Sequence, residues 1–231
     1  MKISIITLFP NMVSGFFNES IVKRACKKKL VKINLINLRD FAINKYGQVD
    51  DRPYGGGAGM IIRVEPVYNA IQSLNLKKKD KKSKIVLTSA KGKVFNQEKA
   101  KEYSKLENLV LIAGHYEGVD ERVLKYVDEE ISIGDFILTG GEIVASAITD
   151  SVVRLLKGVL KKEEAVKDES FSKRKGQRLL EYPQYTRPEE FKGHKVPEIL
   201  LSGNHNKIDE WKMKKAYEET KTKRKDLLIM Q

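Results

Sequence analysis

The chain has 231 residues, 41% of them hydrophobic, and a formal net charge of +13. That length is ample to bury a core in one domain or one and a half, and no apolar run approaches the ~20 residues a membrane-spanning helix needs. The single cysteine, Cys26, excludes an intramolecular disulfide and suits a reducing cytosol, while the positive surplus points to a polyanionic partner, of which nucleic acid is the commonest.

The first apolar run, Lys2 to Leu8, is closed by Pro10. It is too short for a signal-peptide core and reads as a buried strand, so a cytoplasmic protein is expected. Further strands are predicted at 31–38, 85–89, 109–113 and about 130–133. Helices are predicted at about 15–29, 65–74, 96–106, 119–127 and 142–157, the third of them capped by Asn96. Alternation of strand and helix, with strands apolar throughout, argues for a largely parallel sheet covered by helices on both faces. The fold class is therefore α/β over residues 1–160. From Lys161 to Gln177 the chain is polar and lacks apolar periodicity, as a linker or loop would. Residues 178–231 open with a turn-rich patch, Tyr182 to Pro188, and then show helical spacing from about Asn204 through Ile208, Trp211 and Ala216. They are expected to form a small helical domain. Residues 1–150 carry a net charge of +6, and residues 151–231 carry +7 in about half the length. The C-terminal part is thus the stronger candidate for polyanion binding.

Three glycine-punctuated loops follow predicted strands: Thr88-Ser89-Ala90-Lys91-Gly92, Gly114-His115-Tyr116-Glu117-Gly118 and Ser132 to Gly141. In open α/β sheets ligands bind at the carboxyl ends of strands, where small residues let the chain turn over the ligand. Convergence of three such loops suggests a nucleotide-like cofactor. A fourth loop, Asp50-Asp51-Arg52-Pro53-Tyr54-Gly55-Gly56-Gly57-Ala58-Gly59, has neither the lysine of a phosphate-binding P-loop nor a dinucleotide fingerprint. Its charged start favours substrate contact over a plain surface loop. His115, His194 and His205 are far apart and have no cysteine company, so no metal site is expected. With no Ser-His-Asp or Cys-His constellation, carboxylates such as Glu117, Asp135, Asp168 and Glu169 are the candidate bases.

These segments resemble the bacterial tRNA (guanine-37-N1)-methyltransferases, a knotted α/β class that uses S-adenosyl-L-methionine. The likeness runs from Ile6-Thr7-Leu8-Phe9-Pro10 through Asp50–Met60, Gly114–Arg122, Ser132–Glu142, Asp150–Arg154 and Glu181–Pro188 to Leu200–His205. It implies transfer of the S-adenosyl-L-methionine methyl group to guanosine 37 N1 in the anticodon stem-loop of tRNA. It also implies a trefoil knot, a homodimer with a shared active site, and residues 178–231 as a tRNA-binding domain. The cofactor site would comprise Thr88, Ser89 and Gly92, then Gly114, Tyr116, Glu117 and Gly118. Its third wall would be Ser132, Ile133, Gly134, Asp135, Phe136, Ile137, Leu138, Gly140 and Gly141. The family's linker acid precedes Ser-Phe and is usually Asp. Here that position is Glu169, ahead of Ser170-Phe171, with Asp168 beside it as the alternative base. Arg154 matches an arginine that orients the guanine. Asp50, Arg52, Gly55, Gly59, Ser170, Lys173 and Arg174 are candidate substrate contacts. Lys212, Lys214 and Lys215 would meet phosphates. His115 stands where many relatives have Arg, and Ala90 where many have Pro. Magnesium dependence is suggested by the resemblance, but no ligand cluster accounts for it.

Overall fold

The computed structural model describes residues 1–76, 80–161, 169–174 and 176–229. The chain divides into two compact units, Met1–Lys161 and Lys162–Gln231.

In the first unit, β1 (Lys2–Thr7), β2 (Lys32–Asn37), β5 (Ser83–Val94), β6 (Asn108–Ala113) and β7 (Glu129–Ser132) form one sheet of order β2-β1-β6-β5-β7. Every pairing in it is parallel. A minor antiparallel ribbon joins β3 (Asp50–Asp51) to β4 (Ile61–Ile62). The period of two along each strand sorts the core into two layers. Ile3, Ile5, Leu109, Leu111 and Ile131 pack with α1 (Pro10–Phe17), α2 (Ser20–Lys27), α4 (Gln97–Tyr103) and α5 (Glu142–Val153). Ile6, Val110, Ile112 and Leu87 face the other way, toward α3 (Val64–Ser73), Leu38, Val49 and Val123. Helices therefore cover both faces, as the continuous apolar strands required.

Local chemistry explains where the elements depart from expectation. The predicted helix at 15–29 is two helices. Pro10 sits at the start of α1, where its fixed φ suits a first turn. The chain then breaks at Asn18–Ser20, with Ser20 at φ +52°. The predicted helix at 119–127 is a 3-10 run, Glu121–Tyr126, capped by the Asp120 side chain, which accepts the Arg122 N–H at 2.9 Å. Strand β5 continues beyond residue 89 through a register shift between Thr88 and Lys93. Asn96 caps α4 by accepting the Lys99 N–H at 3.0 Å.

In the second unit, β8 (Ser172–Arg174) and β9 (Gln177–Leu179) form a hairpin, although residues up to 177 read as a polar loop in sequence. A second short ribbon pairs β10 (Glu190–Phe191) with β11 (His194–Lys195). Two helices follow, α6 (Glu198–Leu201) and α7 (His205–Lys223), the latter capped by the Asn204 side chain. The hairpin is tied to α7 by buried Thr220, whose hydroxyl accepts the Leu180 N–H at 2.8 Å and donates to the Ala216 carbonyl at 2.7 Å. Leu179, Ala216 and Leu227 supply its small apolar centre.

Candidate functional site

A cleft of about 350 Å³ opens at the carboxyl ends of β6 and β7 and at the register shift within β5, within the size range of small-molecule sites. Its floor is a junction of three chain segments. Gly141 N–H donates to the Gly114 carbonyl at 2.7 Å, and His115 bridges Gly140 in antiparallel fashion. The Thr88 hydroxyl donates to the Ile112 carbonyl at 3.0 Å and accepts the Gly114 N–H at 3.4 Å. This closeness is possible only without side chains. A Cβ on Gly141 would collide with Thr88 Oγ1 and come within 2.9 Å of Ala113 Cα and Gly114 N. The Ser132 loop is closed by its own hydroxyl, which donates to the Gly134 carbonyl at 2.9 Å and lies 3.1 Å from Gly134 N.

Most of the predicted cofactor contacts meet here. Thr88, Ser89, Gly114, Tyr116, Glu117 and Gly118 line the cleft, as do Ser132, Ile133, Gly134, Phe136, Ile137, Leu138, Gly140 and Gly141. Two do not. Asp135 is exposed outside the lining. Gly92 serves the sheet instead, because a Cβ there would lie 2.5 Å from the Glu130 carbonyl carbon and 2.7 Å from that of Ile131. The lining also includes Leu87, Ala90, Lys91, His115, Leu124 and Val144, which the predicted contact set omits. Leu87, Leu124 and Val144 are ordinary apolar positions in sequence, with no motif to mark them.

The cleft wall at 117–120 is stitched to β4 and to Met60 just before it by three backbone bonds. Ile62 N–H meets the Gly118 carbonyl at 3.0 Å, Asp120 N–H the Ile62 carbonyl at 2.9 Å, and Glu117 N–H the Met60 carbonyl at 3.1 Å. The Asp50–Gly59 loop is thereby anchored at the cleft margin. Gly59 lies so close to Glu117 that a Cβ would sit 2.5 Å from Glu117 Cγ. Asp50, Arg52, Gly55 and Gly59 do not themselves line the cleft. The Arg122 guanidinium, 2.7 and 2.9 Å from Asp120, holds that carboxyl below its ordinary range. Glu117, Glu121 and Glu130 are the other acids of the lining.

Arg154 closes α5, its N–H donating to the Asp150 carbonyl at 3.1 Å. In the second unit, the Glu169 carbonyl accepts the Ser172 N–H at 3.1 Å and the Ser172 hydroxyl at 2.6 Å. Ser170 Oγ accepts the Glu181 N–H at 3.0 Å. Lys173 and Arg174 lie on β8, and Asp168 lies outside the described residues. On α7, Lys212 approaches Asp209 at 3.6 Å and Lys215 approaches Glu218 at 2.8 Å. Among the described residues no three His, Cys, Asp or Glu side chains are grouped to hold a metal ion, and no helix is long and apolar enough to cross a membrane.

Fold and cleft together define an α/β protein with a parallel sheet and a ligand-sized cleft beside its strand ends, floored by close-packed glycine backbone. Sequence comparison supplies the family. The family model described as tRNA (Guanine-1)-methyltransferase TrmD matches residues 1–230, and the chain belongs to that family. A relative from Endomicrobium trichonymphae is 48% identical over 235 residues, covering 99% of both chains. Relatives from Fusobacterium nucleatum and Clostridium beijerinckii are 51% and 53% identical, covering 99% and 98% of this chain and 91% and 92% of their own. All three are named tRNA (guanine-N(1)-)-methyltransferase.

Proposed function

We propose that this protein transfers the methyl group of S-adenosyl-L-methionine to N1 of guanosine 37 in tRNA. The observation that carries the reading is the coincidence of the family's glycine-rich segments with one backbone-walled cleft in a chain matched to the family over residues 1–230. The cleft suits the cofactor. Backbone groups and apolar Leu87, Ile133, Leu138 and Val144 fit an adenosine moiety, and Glu117 supplies negative charge for a sulfonium ligand. When bound, the cofactor supplies an already activated methyl group.

What remains for the protein is to align the guanine and free its N1 lone pair. N1 carries a proton at neutral pH, and a positioned base is worth about 10²–10⁴-fold. Glu169 takes this role in our reading, with Asp168 as the alternative. The hydrogen bonds from Ser172 to its carbonyl restrain the main chain at Glu169. Arg154 orients the guanine, Ser170 and the Asp50–Gly59 loop contact the nucleotide, and Lys173, Arg174 and the α7 lysines meet phosphates. Residues 1–160 are then the methyltransferase domain, 161–177 a linker and 178–231 the tRNA-binding domain, with the family's trefoil knot at the cleft. We read the working form as a cytoplasmic homodimer sharing its active site. Large apolar side chains left exposed on α1 (Met12, Phe16), on α5 (Ile143) and in the cleft lining (Phe136, Ile137) support a partner surface. Among the described residues no side-chain group fits the magnesium suggested by the resemblance, and no step is routed through it.

The test is methyl transfer from labelled S-adenosyl-L-methionine to unmodified tRNA with G37, with an A37 transcript as control. Methylation at G37 N1 alone is expected. Bound cofactor without transfer would overturn the reading. In the same assay Glu169→Gln should cut turnover about 10²-fold or more at unchanged cofactor affinity, and Asp168→Asn far less. The reverse ranking moves the base to Asp168.

A further inference from the structure

Glu142, the first residue of α5, is fully buried, yet only one of its carboxylate oxygens is hydrogen-bonded. Oε1 accepts the hydroxyl of Thr7 at 2.8 Å, across 135 residues of sequence. Oε2 has no hydrogen-bond partner, and the atom facing it, 3.6 Å away, is His115 Nδ1, itself buried and unpartnered. Two orphaned polar atoms pointing at each other are costly apart and complementary together. The contrast with Glu129 is informative. That carboxylate is also largely buried but is held by Lys84, Lys99 and Tyr103 at 2.8–3.0 Å.

The His115 ring cannot easily turn away. It packs against Phe9 at 4.8 Å and edge-on to Tyr116 at 5.0 Å. A Cβ on Gly140 would collide with both Nδ1 and Glu142 Oε2, so that glycine creates the room in which they meet. The side chain is only 18% exposed, and it lines the cleft. With Nδ1 buried toward Glu142, Nε2 is the nitrogen left for a ligand.

A carboxylate can only accept, so the nitrogen facing Oε2 must donate. In a neutral imidazole the proton on Nδ1 leaves Nε2 with a lone pair. We propose that Glu142 is a positioning residue that fixes the tautomer of His115, and that His115 Nε2 is thereby a hydrogen-bond acceptor for an N–H or O–H donor of the ligand, an exocyclic amine or ribose hydroxyl. This rests on reading the cleft as the cofactor site. The donor reaches Nε2 while Glu142 and Thr7 hold the far side of the ring.

The tautomer can be read directly by ¹⁵N NMR of histidine-labelled protein, in which His115→Phe assigns the signal among three histidines. We expect Nδ1–H with a bare Nε2, and a shift of the Nε2 resonance on adding S-adenosylhomocysteine. Glu142→Gln keeps an acceptor for Thr7 but turns an amide N–H toward Nδ1. It should therefore move the proton to Nε2 and weaken S-adenosylhomocysteine binding about tenfold by calorimetry. His115→Gln, which can restore an acceptor near the Nε2 position, should bind within about threefold of wild type, whereas His115→Phe should lose about tenfold. An Nε2–H or doubly protonated ring in the wild type would overturn the proposal. So would unchanged affinity in Glu142→Gln. If the wild type binds no S-adenosylhomocysteine, the cofactor reading itself has failed.

Discussion

Two glycine clusters look alike in this sequence and do opposite work. In the 55–59 loop, Gly55, Gly56, Gly57 and Gly59 all have positive φ, while Gly55 and Gly56 have nothing within 4 Å of where a Cβ would sit. Their requirement is backbone handedness. At the cleft floor and the β5–β7 seam beside it, Gly141 has an ordinary φ of −82°, and Gly140 and Gly92 are not among the positive-φ residues either. Their requirement is room. A glycine that supplies handedness can sit on a surface, whereas one that supplies room marks where two parts of the chain must touch. The cleft floor is built by glycines of the second kind, whereas Gly118 and Gly134 elsewhere in the lining take positive φ.

Substitution by alanine separates the two. The largest effect is expected at Gly141, where the added methyl meets Thr88 Oγ1 and the backbone of Ala113 and Gly114, three groups fixed by the sheet. Overpacking of this kind costs about 3 kcal/mol. Because the Gly114–Gly141 hydrogen bond lies in the floor, cofactor affinity should fall more than 100-fold. Urea denaturation and calorimetry on Gly141→Ala measure both, and near-normal binding would mean the floor can yield. Gly92→Ala comes next. Its methyl would strike the Glu130–Ile131 backbone and disturb the β5–β7 pairing, for about 2 kcal/mol. Gly92 is outside the cleft lining, so cofactor affinity should fall about tenfold or less, through displacement of the Ser132 loop. A larger loss of affinity than in Gly141→Ala would invert the comparison.

The parallel sheet was legible because its central strands β1 and β6 are buried on both faces and so read as apolar runs, as in Leu109-Val110-Leu111-Ile112-Ala113. The loops after them were legible through their glycines. What the sequence hid depends on contacts distant along the chain. Ser89 to Lys93 looks polar and loop-like, yet β5 runs through it because it pairs with β7 beyond the register shift. The helix predicted at 15–29 missed a start set by Pro10 and a break at Ser20, which local apolar spacing does not encode. The pairing of Ser172–Arg174 with Gln177–Leu179 depends on α7, through Thr220, some forty residues on. The resemblance places Gly92 with the cofactor residues because it sits in the right loop. Its role follows from a neighbour, Ile131, that only the sheet brings close.

The smallest effect is expected at Gly55, and it decides what the other cluster is for. At φ +85° an alanine is strained by about 1–2 kcal/mol, but nothing nearby resists the methyl. The loop is exposed and can relax part of that strain, so a loss of about 1 kcal/mol in urea denaturation is expected. Cofactor affinity should stay within twofold, because Gly55 does not line the cleft. If the 50–59 loop contacts the substrate nucleotide, the KM for tRNA should nevertheless rise several-fold in Gly55→Ala. The loop is anchored at the cleft margin through Gly59 against Glu117 and through the β4 hydrogen bonds, so a change in its path alters what the margin presents to RNA. An unchanged KM for tRNA would leave this cluster a surface turn whose glycines serve only its own backbone. A loss of cofactor affinity instead would show that handedness at the margin and room at the floor are coupled through Glu117, and the two clusters would then be one device.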